Sequence, residues 1–154
     1  MSSTAEALSI ERITHKFLGA WKLVAYESDH QNGEVVIPFT DNPVGYVIYD
    51  KSGHFSLSMM HPGDMNFEND DILNASSDET YMAFYTRVAY AGQYEFDLKK
   101  KAIIHKVEIC SIPNLVNTDQ YRFFTITDTK LTLVTPELLI RGDQVVQTVR
   151  WERV

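Results

Sequence analysis

Cysteine is almost absent, with Cys110 the one cysteine in 154 residues. No internal disulfide can form, and no Cys-x-x-Cys pair or Cys/His spacing offers a zinc site. Long apolar runs are missing too. No stretch approaches the roughly 20 apolar residues that a membrane helix requires. The segment Met1 to Lys16 carries Glu6, Glu11, Arg12, His15 and Lys16 where a signal peptide would be apolar. The expectation is a cytoplasmic protein without a membrane partner. Positive charge is also short, since 14 Lys and Arg against 21 Asp and Glu leave a formal net charge of -7. A surface of that sign argues against nucleic acid, whose phosphates need cations, and against anionic lipid. Asn74-Ala75-Ser76 fits the glycosylation pattern, but without a secretory signal it reads as chance.

Apolar and aromatic residues are plentiful. The chain is 44% hydrophobic and 12% aromatic, with eight Tyr, eight Phe and two Trp. That composition supports one folded domain over 1–154 and favours strands. Ile10, Ile13 and Phe17 are spaced as on a short N-terminal helix. Strands are expected over Ala20–Ser28, Gly45–Asp50, His54–Met60, Ala89–Asp97, Ala102–Cys110, Gln120–Thr127, Lys130–Val134 and Val145–Arg153. The turn signals are Gln31-Asn32-Gly33-Glu34, a loop bracketed by Pro38 and Pro43, Lys51-Ser52-Gly53, Leu98-Lys99-Lys100-Lys101, Pro113–Asp119, Asp128-Thr129 and Arg141-Gly142-Asp143. Between His61 and Thr80 lies an acidic stretch with Asp64, Glu68, Asp70, Asp71, Asp78 and Glu79 and no Lys or Arg. Ser76 with Glu79 is a capping-box pattern. It opens a second short helix, Asp78 to Val88, with Tyr81, Phe84, Tyr85 and Val88 on one face, ahead of the fourth strand. Sequential strands with short turns give an all-β, eight-stranded antiparallel up-and-down barrel, whose interior holds side chains or one small ligand.

Alternation sorts each strand into two faces. Lys106 and Glu108 belong in water, so Ile103, His105, Val107 and Ile109 should point inward, leaving Cys110 outside. The aromatic face Tyr90, Gly92, Tyr94, Phe96 should be internal, as should Phe55, Leu57, Met59 and Gly45, Val47, Tyr49. Gln120–Thr127 is undecided by alternation. Either Gln120, Arg122, Phe124 and Ile126 face inward, or Tyr121 and Phe123 do and Arg122 is solvated, paired across strands with Glu95 or Glu108.

Gly19-Ala20-Trp21, after a short helix, is similar to the Gly-x-Trp signature of lipocalins and their calycin relatives. Phe17–Glu27, Gly45–Ser56, Ala89–Asp97, the His105 strand, Gln120-x-Arg122-x-Phe124 and Trp151–Val154 together resemble the small bacterial and fungal lipocalin-like domain, in order and over nearly the whole chain. The resemblance implies the same barrel and places Arg122 inside. It also implies that Arg153 or Arg150 covers Trp21, making these residues and Trp151 structural. The resemblance also implies a place in secondary metabolism, where proteins of this fold are linked to cyclisation, isomerisation or dehydration of polyketide- or terpenoid-like intermediates.

The candidate site is therefore His105, Arg122 and Tyr94 for chemistry, with Tyr90, Gln120, Tyr49, Phe55, Leu57, Met59 and Phe124 lining the ligand. An internal His can exchange a proton near neutral pH, an Arg can stabilise an enolate or carboxylate, and a Tyr can orient a carbonyl. This points to cofactor-free isomerisation, cyclisation or dehydration of a small carbonyl-bearing metabolite, with no metal. The alternative is a non-catalytic carrier in which the same residues hold a polar headgroup. A third reading makes His105 the axial ligand of a haem. His61-Pro62 and Asp70-Asp71 fit no metal spacing, and the acidic stretch reads as a solvated loop able to act as a lid. A monomer or homodimer is expected, and a plain core histidine remains the structural alternative for His105.

Overall fold

The structure is a computed structural model, and it describes residues 3–30, 35–36, 42–63 and 66–154. The expected turn at 31–34, the Pro38 end of the next loop and Asp64 lie outside the described residues. The chain runs α1 (Ser3–Phe17), β1 (Gly19–His30), β2 (Val35–Val36), β3 (Val44–Tyr49), β4 (His54–Met60), α2 (Ser77–Tyr85), β5 (Arg87–Asp97) and β6 (Ala102–Cys110). A 3-10 turn (Pro113–Leu115), β7 (Asp119–Ile126), β8 (Lys130–Val134), β9 (Leu138–Ile140) and β10 (Asp143–Arg153) follow. Strands β1, β3–β8 and β10 hydrogen-bond in that order, and β1 pairs with β10 from Trp21↔Arg153 to His30↔Val145, which closes an antiparallel barrel of eight strands. The short strands β2 and β9 extend β1 and β10 and were not expected, because each is too brief to show alternation.

Alternation places most inward side chains as expected. In β4, Phe55, Leu57 and Met59 are buried while His54, Ser56 and Ser58 are exposed. Closure takes both faces of every strand out of ambiguity, since only the concave one can be dry. The β3–β4 hairpin turns at Gly53, whose φ of 84° a side chain would resist. Turns at Lys101 and Arg141-Gly142 also use positive φ.

One correction concerns β6. The β5–β6 register slips between Ala91 and Gly92, so that Glu108 is an extra residue in the ladder. Beyond this bulge the faces exchange. Ile109, expected inside, is 69% exposed, and Cys110, expected outside, packs against the core. A Cβ on Gly92 would lie 2.0 Å from the Lys106 carbonyl oxygen, so the bulge needs glycine at this position. A second correction concerns α2, which ends at Tyr85. Val88, expected on its apolar face, belongs to β5 instead. Thr86 ends the helix by bonding back to the Met82 carbonyl, and the chain extends from there.

The barrel end beneath α1 is filled with aromatic rings. Phe17, fully buried, meets Tyr49, Phe96 and Phe124 edge-on at ring-centroid distances of 5.1–5.2 Å. Such contacts fix the last turn of α1 as a stopper. Arg153 locks it in place. Its guanidinium donates to the carbonyls of Lys16, Leu18 and Asp128 and lies 4.1 Å from the Trp21 ring centroid. Arg150 takes Glu27 at the outer wall instead. Gly19, at φ 114°, leaves room for Arg153 Nη1, which a Cβ would meet at 3.3 Å.

Candidate functional site

Above the aromatic stopper, β3, β5, β6 and β7 bring a chain of polar groups into the interior. His105 pairs with Tyr94 on one side and Gln120 on the other, and Ile103 pairs with Arg122. Directly opposed residues share a face. Since Ile103 and His105 are fully buried, Arg122 and Gln120 point inward as well. This settles the ambiguity of β7, on whose outer face Phe123 is 38% exposed. The cross-strand alternative is taken by other residues. Lys106 holds Glu95 at 3.8 Å and Gln93 donates to Glu108 at 3.0 Å.

His105 is held on both ring nitrogens. Nε2 lies 2.8 Å from the Tyr49 hydroxyl and Nδ1 lies 3.2 Å from the Tyr90 hydroxyl. Phe55 stacks on the imidazole with ring centroids 4.2 Å apart. Burial, and then the positive charge of Arg122, push the His105 pKa well below its ordinary value, so the ring is neutral. Burial likewise raises Tyr49, Tyr90 and Tyr26 above the ordinary tyrosine range, which keeps these hydroxyls protonated.

Arg122 is partly buried. Its Nη1 donates to the Tyr121 carbonyl at 2.8 Å, and its positive charge acts on the Tyr90 hydroxyl. Its field also reaches Tyr26, Tyr49 and His105. Among the described residues no carboxylate forms an ion pair with it. A guanidinium has five N–H donors, and the Tyr121 carbonyl takes one of them. The Trp151 indole N–H, in a residue 1% exposed, is another interior donor with no partner among the described residues. Tyr26, Gln147 and Ser28 were not singled out from the sequence, yet they add a polar wall. Gln147 hydrogen-bonds the Tyr26 hydroxyl and reaches Ser28 Oγ at 3.4 Å. Gln147 sits on a strand whose alternation the sequence showed, but its inward polar side chain carried no motif.

The structure divides the sequence-derived site. Tyr49, Phe55, Leu57, Met59 and Tyr90 belong to one packed core, with Phe124 against it. Gln120 and Arg122 are half-buried on β7. Tyr94 is committed elsewhere, since its hydroxyl donates to the Asp50 carbonyl at 2.7 Å and ties β5 to the β3–β4 turn. Gln120 donates to Thr118 at 2.9 Å. No cluster of three metal-ligating side chains occurs among the described residues. His105, with both nitrogens engaged, presents no free lone pair to a haem iron.

Outside the barrel, α2 carries Tyr81, Met82, Phe84 and Tyr85 on its surface, each about half exposed, and buries none of its residues. Its N-terminus is closed by the expected capping box of Ser76 and Glu79, and Glu79 also accepts from the Glu68 backbone at 2.7 Å. The acidic stretch is thus tied to the start of α2. No helix among the described residues is long and apolar enough to cross a membrane.

The chain is 27% identical over 106 residues to the 4'-hydroxy-3'-methoxypropiophenone carrier protein ppsC of Aspergillus oryzae (strain ATCC 42149 / RIB 40), a match covering 64% of this chain and 96% of that protein. Among solved structures, a polyisoprenoid binding domain from Saccharophagus degradans, implicated in plant cell wall breakdown, aligns over 88% of this chain and 94% of its own at 10% identity, with a TM-score of 0.33. The family profile of the lipocalin-like domain matches residues 18–154, from Leu18 to Val154, and the chain belongs to that family.

Proposed function

We propose that this protein binds and carries a small, largely apolar molecule inside the barrel, with the molecule's polar end at Arg122 and Tyr90. The observation that supports it is an internal cation without an acid partner, set in an apolar barrel. A partly buried cation is matched by an acceptor, and the carbonyl or anionic end of a bound ligand would supply one. The relative named as a carrier of an aryl ketone supports the same reading, and it suggests a ligand from secondary metabolism.

A catalytic role in isomerisation, cyclisation or dehydration would need His105 to exchange a proton with substrate. His105 is fully buried beneath Phe55 and bonded on both nitrogens, so any proton it moves must pass through Tyr90 or Tyr49. The carrier reading asks nothing of it beyond position. Titration with 4'-hydroxy-3'-methoxypropiophenone, followed by mass spectrometry of the recovered ligand, separates the two. Saturable binding with the ligand returned unchanged supports carriage. Conversion of the ligand, or no binding to the barrel, contradicts it.

A further inference from the structure

The hydrogen bonds of His105 have a direction. A neutral imidazole has one N–H and one bare nitrogen. If Nε2 carried the proton it would donate to Tyr49, whose own hydroxyl proton would then need another acceptor. Tyr49 is 1% exposed, and its surroundings are the rings of Phe17, Phe55, Tyr94 and His105. His105 is its hydrogen-bond partner among the described residues. A fully buried hydroxyl proton left unmatched is strongly disfavoured. With the proton on Nδ1 the conflict disappears. Tyr49 donates to Nε2 over the short 2.8 Å contact, and Nδ1–H donates to Tyr90 over the longer 3.2 Å one.

Tyr90 then accepts from His105, and its own O–H is released. Tyr90, unlike Tyr49, is 9% exposed, so that proton has somewhere to go. The polar chain ends at the Tyr90 O–H and the remaining N–H groups of Arg122. The Trp151 N–H, without a partner among the described residues, is a donor as well.

We infer that the interior polar chain runs one way, Tyr49 to His105 to Tyr90, and ends in donors alone, so that it selects a ligand whose polar end is a hydrogen-bond acceptor, a carbonyl or anionic oxygen. The inference rests on the binding reading above. Within it His105 is a positioning residue, acting on the ligand through Tyr90. An alcohol or amine end gains less at this site, and a cationic end is repelled by Arg122.

Two measurements test it. The first is the tautomer of His105 in the ligand-free protein, read from the side-chain nitrogen resonances of 15N-histidine-labelled protein and assigned by loss of the signal in His105→Gln. The Nδ1–H form is expected in the wild type, and Tyr49→Phe should relax it toward a mixture of tautomers. A wild-type Nε2–H form overturns the inference whether or not any ligand binds. The second compares propiophenone with its isostere in which C=CH2 replaces C=O. Wild-type protein should bind the ketone about 10-fold or more tightly than the alkene, and Tyr90→Phe should lose most of that ratio while holding the alkene as before. Equal binding of the two probes overturns the inference but leaves the binding reading standing. Failure of both to bind removes the binding reading, and the proposed acceptor ligand with it.

Discussion

The Arg153 guanidinium lies 4.1 Å from the centroid of the Trp21 ring and donates to the carbonyls of Lys16, in the last turn of α1, and Leu18, just after it, so this one side chain fastens the stopper helix to the barrel. The cation–ring contact contributes about 0.5–2 kcal/mol and each charged hydrogen bond adds to it. Arg153→Ala should therefore lower the unfolding free energy by about 2–4 kcal/mol. Arg153→Lys should recover less than half of that, because an ammonium cannot reproduce the guanidinium fork. Urea denaturation followed by tryptophan fluorescence reads both. A loss under 0.5 kcal/mol on the same scale would mean that the stopper is held by Phe17 alone.

The β5–β6 bulge rests on glycine. Gly92→Ala places a methyl 2.0 Å from the Lys106 oxygen, a backbone atom that cannot move without undoing the ladder. The expected loss is about 3 kcal/mol or failure to fold. Gly53→Ala meets nothing within 4 Å and suffers only its positive φ, so about 1 kcal/mol is expected. Thermal unfolding of the pair tests the contrast, and a Gly92→Ala variant as stable as Gly53→Ala would show that the bulge can be dissolved cheaply.

His105 makes stability depend on acid. Its folded pKa is depressed, first by burial and then by Arg122, below the ordinary value of 6.5. Above pH 6.5 both folded and unfolded states hold it neutral, and its contribution is complete. As the pH falls below 6.5 the unfolded chain takes up a proton that the folded chain refuses, so stability declines. His105→Asn lacks this titration. The stability gap between wild type and variant should narrow from pH 6.5 to pH 5 by up to about 1.4 kcal/mol per pH unit. A gap that stays constant across that range would show that His105 titrates normally.

Much of this arrangement was legible in the sequence. Strand alternation and short turns give the barrel, and the Gly-Ala-Trp start with the terminal Arg gives its closed end. His105 is placed inside because alternation puts Lys106 and Glu108, which must reach water, on the opposite face. The bulge was not legible, since a single inserted residue leaves the apolar count of β6 unchanged. Only the close approach at Gly92 marks it, and Ile109 and Cys110 were therefore misplaced. Arg122 needed the register with Ile103, because a strand with aromatics on both faces carries no preference of its own. Tyr94 looked available because no sequence pattern shows that its hydroxyl reaches back to the Asp50 carbonyl.

The acidic stretch and α2 pack lightly on the barrel, where the Arg141 guanidinium lies 6.0 Å from the Tyr85 ring centroid. The capping box Ser76–Glu79 orders the start of a helix that buries none of its residues. Ser76→Ala should weaken that helix by about 1 kcal/mol without shifting the global melting transition. Faster amide hydrogen exchange confined to Thr80–Thr86 is the expected signature. A lowered global transition would show that α2 is coupled to the barrel.

The most direct test of a ligand held in the interior is the position of a bound aryl ketone. Nuclear Overhauser contacts between the ethyl group of 13C-labelled propiophenone and the protein's methyl and aromatic protons report it. Contacts to Met59, with displacement of the Tyr90 ring and Arg122 side-chain signals, are the expected result. Contacts confined to outward residues such as Ile48, Ile109 or Phe84, with the Tyr90 and Arg122 signals unmoved, would contradict it.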